Sequence, residues 1–243
     1  MEFNYEMDFQ NSESVRSFFW PGLVSSIVTR QARIEDFRSA LLGWAEENLR
    51  AFPWRETSDP YEVLIAEILL QKTSAEKVEP IYRELLDTYP TIDSLAAADP
   101  DHLADIIYSL GFQNQRSRAL VGIGRQLGES VPADESELLD LPYVGRYAAN
   151  ATLCFAFGKP RPIVDENVVR VYNRIFDTEF DYRDEKAWKI AARVLPEANA
   201  RRFNLALLDF GATVCTPKIP NCNQCFFTDS CSYYMALSRD DDQ

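Results

Sequence analysis

Residues 141–170 read LPYVGRYAANATLCFAFGKPRPIVDENVVR. Leu141-Pro142-Tyr143-Val144-Gly145 stands between two helical patterns, over 135–140 and 146–157. Pro142 has a restricted φ and Gly145 can take a positive one, so the chain reverses tightly and the two patterns form a helical hairpin. Backbone N–H groups opening the second helix face outward and can hold a phosphate, although an ordinary helix–helix turn uses the same residues. Asp165 precedes the apolar series Val168, Val171, Tyr172 and Ile175. That places it first of all at an N-cap.

The pattern on either side is helical as well. Phe37, Leu41, Leu42, Trp44 and Leu49 recur near helical spacing from about Ile34, and Phe52-Pro53-Trp54-Arg55 breaks the run. Asp59 as cap and Pro60 at the first position open a helix to about Leu70. Further helices are predicted at 74–89, 92–98, 101–110, 115–129, 166–176, 185–195 and 200–213. Strand signals are weak, so the chain reads as all-α. Residues 1–30 show no strong period and read as an extension, whose Phe18, Phe19 and Trp20 are candidates to pack on the core or meet a partner.

With 243 residues and 46% hydrophobic content the chain can bury a substantial core. No run of 18 apolar residues is present and the acidic N-terminus lacks the form of a secretory signal. A cytoplasmic location, with the chromosome, is therefore expected, and no membrane partner. A formal charge of −13 argues by itself against a nucleic-acid partner. Its distribution argues otherwise: residues 112–128, 141–164 and 210–228 contain no acid. Buried helices would show the same lack of acid. Lysine accounts for only six of the 25 basic residues, a balance suited to a high-salt cytoplasm that screens self-repulsion.

Cys215, Cys222, Cys225 and Cys231 are spaced C-x6-C-x2-C-x5-C. Four thiolates so close in sequence can converge on an iron–sulfur cluster or on zinc. A disulfide pair is the remaining reading, disfavoured in a reducing compartment. Cys154 lies in an apolar helix and reads as a small core residue. His102, the only histidine, reads as a surface helix-start residue.

Taken in order, LPYVGRY, FGKPRPIVDENVVRVYNRIF and the cysteine spacing resemble the helix-hairpin-helix DNA glycosylases of the endonuclease III and MutY group. FPWR at 52–55, DPYEVLIAEILLQKT at 59–73 and FNLALLDFG at 203–211 extend the resemblance over roughly residues 33–234. It implies an all-α, two-domain architecture with a C-terminal [4Fe-4S] loop. Residues 31–55 plus 161–234 would form a discontinuous domain holding the cluster, and 56–160 a central bundle with the hairpin. Residues 1–30 and the acidic tail 235–243 fall outside both.

The resemblance also assigns roles. Asp165 matches the catalytic aspartate, whose carboxylate stabilises an oxocarbenium-like sugar. Tyr147 stands where bifunctional members carry a lysine, and a phenol cannot form a Schiff base. Backbone cleavage is therefore expected to be weak or absent. Glu67 matches the glutamate of MutY that protonates a leaving purine. Gln71, Lys72, Gln113, Asn114, Gln115, Arg116, Tyr143, Gly145, Arg146 and Lys218 fall on the implied DNA-facing elements. The partner would be duplex DNA with a mispaired or damaged base, bound by a monomer. NQRSRAL, the closing CSYY and Tyr147 look closest to archaeal thymine–DNA mismatch glycosylases, pointing to T or U opposite G. An adenine glycosylase and a non-catalytic DNA-binding member are the alternatives. Tyr143 departs from the family pattern, occupying the first glycine position of the usual hairpin.

Overall fold

The computed structural model describes residues 21–240, with side chains from 31 to 238. Every regular element among them is helical. In chain order these are α1 (Pro21–Asn48), α2 (Pro53–Glu56), α3 (Pro60–Leu70), α4 (Ala75–Thr88), α5 (Ile92–Ala96), α6 (Pro100–Ile106) and α7 (Gln113–Leu127). There follow α8 (Glu135–Leu139), α9 (Arg146–Phe155), α10 (Glu166–Phe176), α11 (Glu185–Val194), α12 (Ala200–Thr213) and α13 (Ser232–Asp240). Single 3-10 turns occur at Tyr108–Leu110, Cys222–Gln224 and Thr228–Ser230. No helix is long and apolar enough to cross a membrane among the described residues.

Local chemistry accounts for the helix starts that matter. Asp59 caps α3 by accepting from the backbone N–H groups of Tyr61 and Glu62, with Pro60 at the first helical position. Asp165 caps α10 by accepting from Val168 N. Two boundaries differ from expectation. The described part of α1 is helical from Pro21 onward, well before Ile34. α7 begins at Gln113, immediately after Phe112 in the left-handed region at φ 53°. Phe18, Phe19 and Trp20 lie outside the described residues.

The buried side chains form two apolar clusters. One joins Phe37 and Leu41 of α1 to Val168, Val171 and Tyr172 of α10, Trp188 of α11, Phe203 and Phe210 of α12, and Phe227 of the cysteine loop. The other joins Leu64, Ile65, Ile68 and Leu69 of α3 to Trp54, Val78, Leu85, Leu120, Ile123 and Leu153. Helices α3 and α9 serve both: Val63 and Cys154 pack into the first cluster, Leu64 and Leu153 into the second. Polar residues on these shared helices therefore sit where the two clusters meet.

Candidate active site and DNA-facing surface

Glu67 on α3, Tyr147 on α9 and Asp165 at the start of α10 converge on two adjoining cavities of about 390 and 890 Å³, both of which they line. Glu67 is buried at 3% exposure, and its Oε2 has no hydrogen-bond partner. Burial pushes its carboxyl up to about 8; nearby Arg55 opposes the rise and Asp165 adds to it. Burial, then the charges of Glu67 and Asp165, push the Tyr147 phenol well above its usual value. Burial also raises Asp165, against the hydrogen bonds it accepts from Val168 and Asn167. The arrangement thus sets a protonated acid, a neutral phenol and a hydrogen-bonded carboxyl around one space.

Behind Asp165 runs a chain of polar contacts. Asn167 Nδ2 donates to Asp165 Oδ2 at 3.2 Å. Arg170 donates to Asn167 Oδ1 at 2.7 Å, to Gly211 O at 2.7 Å and, through Nε, to Cys215 O at 2.9 Å. The helices approach closely here: a Cβ added at Gly211 would crowd Asn167 Cβ at 3.1 Å. Arg55, which faces Glu67, is itself held by Asp209. That carboxylate is fully buried and accepts from Arg55 Nη1 and Nη2 and from Arg50 N and Nε at 2.6–2.9 Å. Burial alone would raise Asp209, but the hydrogen bonds and charges of the two arginines prevail and hold it below the usual carboxylate range. Residue-by-residue reading missed Asn167, Arg170, Arg55 and Asp209 as site residues. Only the Asn167–Arg170 spacing of three on one helix carried a local signal.

The hairpin reverses the glycine expectation. Tyr143 has the positive φ, at 67°, whereas Gly145 is extended at φ −97° as the N-cap of α9. A Cβ at Gly145 would meet nothing within 4 Å. The Tyr143 carbonyl accepts from Gln71 Nε2 at 3.0 Å, joining the hairpin to the turn after α3. In that turn Lys72 is exposed, with a left-handed φ of 55°. Arg116 departs from the expected DNA-facing placement: it is fully buried and donates to Gln71 O at 2.8 Å. It lies on the inward face of α7 and braces the Gln71 turn. Gln113, Asn114 and Gln115 form the first turn of α7, and Gln115 and the exposed Phe112 line the larger cavity with Tyr143 and Gly145. Arg146 is already engaged, bonded to Glu185 at 2.6 Å and stacked 4.1 Å from the Trp188 ring centroid. Lys218 and Ile219 are exposed on the cysteine loop, and His102 is exposed with Nδ1 2.8 Å from Tyr89 Oη.

All four cysteines of the loop are free thiols. Burial raises Cys215, Cys222 and Cys225, and each also feels the charge of other thiols in the set. Arginines hold the loop: Arg174 donates to Thr216 O at 2.7 Å and Pro217 O at 2.9 Å, and Arg33 to Ser230 O and to Ser232 Oγ at 2.9 Å. Among the described residues no three His, Cys, Asp or Glu side chains form a group that could hold a metal ion.

The sequence family model for the HhH-GPD superfamily base excision DNA repair protein matches residues 65–197, more than half of the chain. The chain belongs to this superfamily. A relative named thymine/uracil-DNA glycosylase, from Methanothermobacter thermautotrophicus, is 38% identical over 209 residues, covering 83% of this chain and 95% of the relative. An adenine DNA glycosylase from Mycolicibacterium smegmatis is 35% identical over 193 residues, covering 76% of this chain and 65% of the relative. The solved structure of a thermostable thymine-DNA glycosylase superposes with a TM-score of 0.82 at 36% identity, covering 85% of this chain and 99% of that one. The superfamily match takes in Glu67, the hairpin, Tyr147 and Asp165, whereas Arg50, Trp54, Arg55, Arg201 and Leu205 of the smaller cavity lie outside it.

Proposed function

We propose that this HhH-GPD protein is a monofunctional DNA glycosylase that removes thymine or uracil opposite guanine. The observation that carries the reading is the convergence of Glu67, Tyr147 and Asp165 on one space, with a phenol where an amine would be needed for strand cleavage. The similarity to thymine/uracil-DNA glycosylases supports the choice of base. A G·T or G·U pair is already weak, which lowers the cost of turning the nucleotide out of the duplex.

In this mechanism the bond between the sugar C1′ and the base nitrogen breaks. Asp165, as its carboxylate, faces the positive charge that develops on the sugar. Glu67 is protonated below about pH 8 and gives its proton to the departing base. Water adds to C1′ and its proton passes to Asp165, leaving an abasic sugar and an intact backbone. Tyr147 stays protonated and walls the site. The turn at Gln71–Lys72, the first turn of α7 with Gln113, Asn114 and Gln115, the hairpin at Tyr143–Gly145 and Lys218 form the DNA-facing surface. Gln113–Gln115 have the amides to read the orphan guanine. Arg146 reaches phosphate by leaving Glu185, whereas Arg116 acts from inside.

Cys215, Cys222, Cys225 and Cys231 fit as the ligands of a [4Fe-4S] cluster. They are free and mutually interacting, and they lie in a loop tied down by Arg33, Arg170 and Arg174. When bound, the cluster supplies a rigid covalent cross-link for the loop that carries Lys218. The two apolar clusters support a two-domain arrangement of residues 31–55 and 161–234 against 56–160, although Phe52 and Trp54 pack with the second cluster and Val63, Cys154 and Phe155 with the first. On this reading the protein acts as a monomer on chromosomal DNA.

One test uses anaerobically purified protein on end-labelled duplexes containing G·T, G·U, G·A and 8-oxoguanine·A, read with and without alkali. Strand breaks at T or U only after alkali are expected. Release of adenine instead would establish the second reading, favoured by buried Glu67 and by the adenine glycosylase relative. No release from any duplex would overturn both. Iron and acid-labile sulfide with a brown visible absorbance are expected in the same preparation; stoichiometric zinc would overturn the cluster assignment.

A further inference from the structure

The loop between α10 and α11 borders the larger cavity, and neither the hairpin nor the catalytic trio accounts for its construction. Half of its sequence, Asp177-Thr178-Glu179-Phe180-Asp181-Tyr182-Arg183-Asp184, is acidic. Tyr182 nonetheless lines the cavity mouth beside Asp165 and Glu166, together with Tyr143 and Gly145 of the hairpin.

The loop is held in shape from both ends. Asn173 of α10 donates to Phe180 O at 2.9 Å and accepts from Phe180 N at 3.0 Å and Thr178 Oγ1 at 2.8 Å. Asp184 Oδ2 accepts from Asp181 N at 2.8 Å, and Asp181 Oδ1 accepts from Arg183 N at 2.9 Å. Two of the carboxylates are thus turned onto the loop's own backbone, and Tyr182 and Arg183 are presented from a closed turn. The Arg183 guanidinium lies 4.9 Å from the Tyr182 ring centroid and makes no ion pair among the described residues. Tyr182 is half-buried, its body packed against the first apolar cluster.

We infer that Tyr182 and Arg183 form a substrate-binding pair for the nucleotide next to the extrahelical one. Tyr182 stacks on that nucleotide and Arg183 takes its phosphate. An unstacked nucleotide offers one aromatic face and one negative charge, which an aromatic side chain with an adjacent free cation matches. The inference rests on the reading of the cavity as a nucleotide site and adds contacts from the loop between α10 and α11.

The test measures binding to a duplex with a tetrahydrofuran abasic analogue opposite guanine, by fluorescence anisotropy over a range of salt concentrations. This readout is independent of which base is excised. Tyr182→Ala should weaken binding about 10-fold, within the range of base–aromatic stacking, and leave the salt slope unchanged. Tyr182→Phe should bind like wild type. Arg183→Ala should reduce the salt slope by about one. Wild-type binding and slope in Tyr182→Ala and Arg183→Ala would overturn the inference, as would equal losses in Tyr182→Phe and Tyr182→Ala. Should Tyr182→Ala fail to fold, Arg183→Ala decides alone, since its side chain is exposed. Wild-type protein that does not bind this duplex would overturn the nucleotide-site reading itself, and this inference with it.

Discussion

Asn167 lies between Asp165 and Arg170, donating to the aspartate over 3.2 Å while its own oxygen accepts from the arginine over 2.7 Å. Because Arg170 also holds Cys215 O, the Asp165 carboxyl and the cysteine loop share one hydrogen-bonded brace. Arg170→Ala should therefore slow base release about 10- to 100-fold, since hydrogen bonds to charged groups contribute about 1.5–3 kcal/mol. Single-turnover kinetics on a G·U duplex would show it, with duplex binding little changed. A wild-type rate would mean that Asp165 is oriented by its helix cap alone.

Glu67 sets a pH dependence whose sign follows from its burial. Its carboxyl, raised to about 8, holds a proton through the neutral range. Activity should fall as pH rises through 8, and Glu67→Gln should lose most of the activity and this alkaline limb together. The stability linkage runs the same way. The folded state binds the proton more tightly than the unfolded state, so the stabilisation is complete below about 4.5 and is lost as pH rises through about 8. Glu67→Gln should therefore melt higher than wild type by a margin that grows from pH 5 to 9, as calorimetry would record.

Tyr147 is predicted to separate base removal from strand cleavage. Placing an amine there by Tyr147→Lys should yield a covalent protein–DNA adduct on borohydride treatment, with wild type giving none. The new amine would stand near Asp165, whose charge favours its protonated form. Trapping should accordingly increase toward alkaline pH. Absence of an adduct at any pH would place the sugar away from residue 147.

Asp209 contrasts with the cavity carboxyls Glu67 and Asp165, whose pKa values are raised. It is fully buried between Arg50 and Arg55. Asp209→Ala would strip both arginines of their partner and should destabilise the fold by about 3–5 kcal/mol, measured by urea unfolding. With a carboxyl held below its usual value, the contribution of Asp209 is present at neutral pH and lost only as pH falls through the acid range below 3.8. The wild-type and variant stabilities should therefore converge at low pH.

Sequence alone determined the helical class, most helix positions and the hairpin by local rules, and singled out Asp165, Glu67 and Tyr147 as candidates through their motifs. Apolar period, proline, glycine and cap chemistry act within a few residues, and the order of short motifs placed the chain among its relatives. The spacing of the four cysteines was legible for the same reason. Tertiary structure alone decided which polar groups are buried together. Arg116 and Arg118 are both arginines on one helix, yet one is sealed inside and the other exposed. Glu67 and Asp209 are two carboxyls on apolar helices, yet the pKa of one is raised and that of the other lowered. Tyr143, rather than Gly145, carries the left-handed hairpin residue. The difference lies in contacts between residues far apart in the chain. Burial removes water from a charge, and only a partner brought in by the fold, such as Arg50 or Arg55 beside Asp209, can replace it.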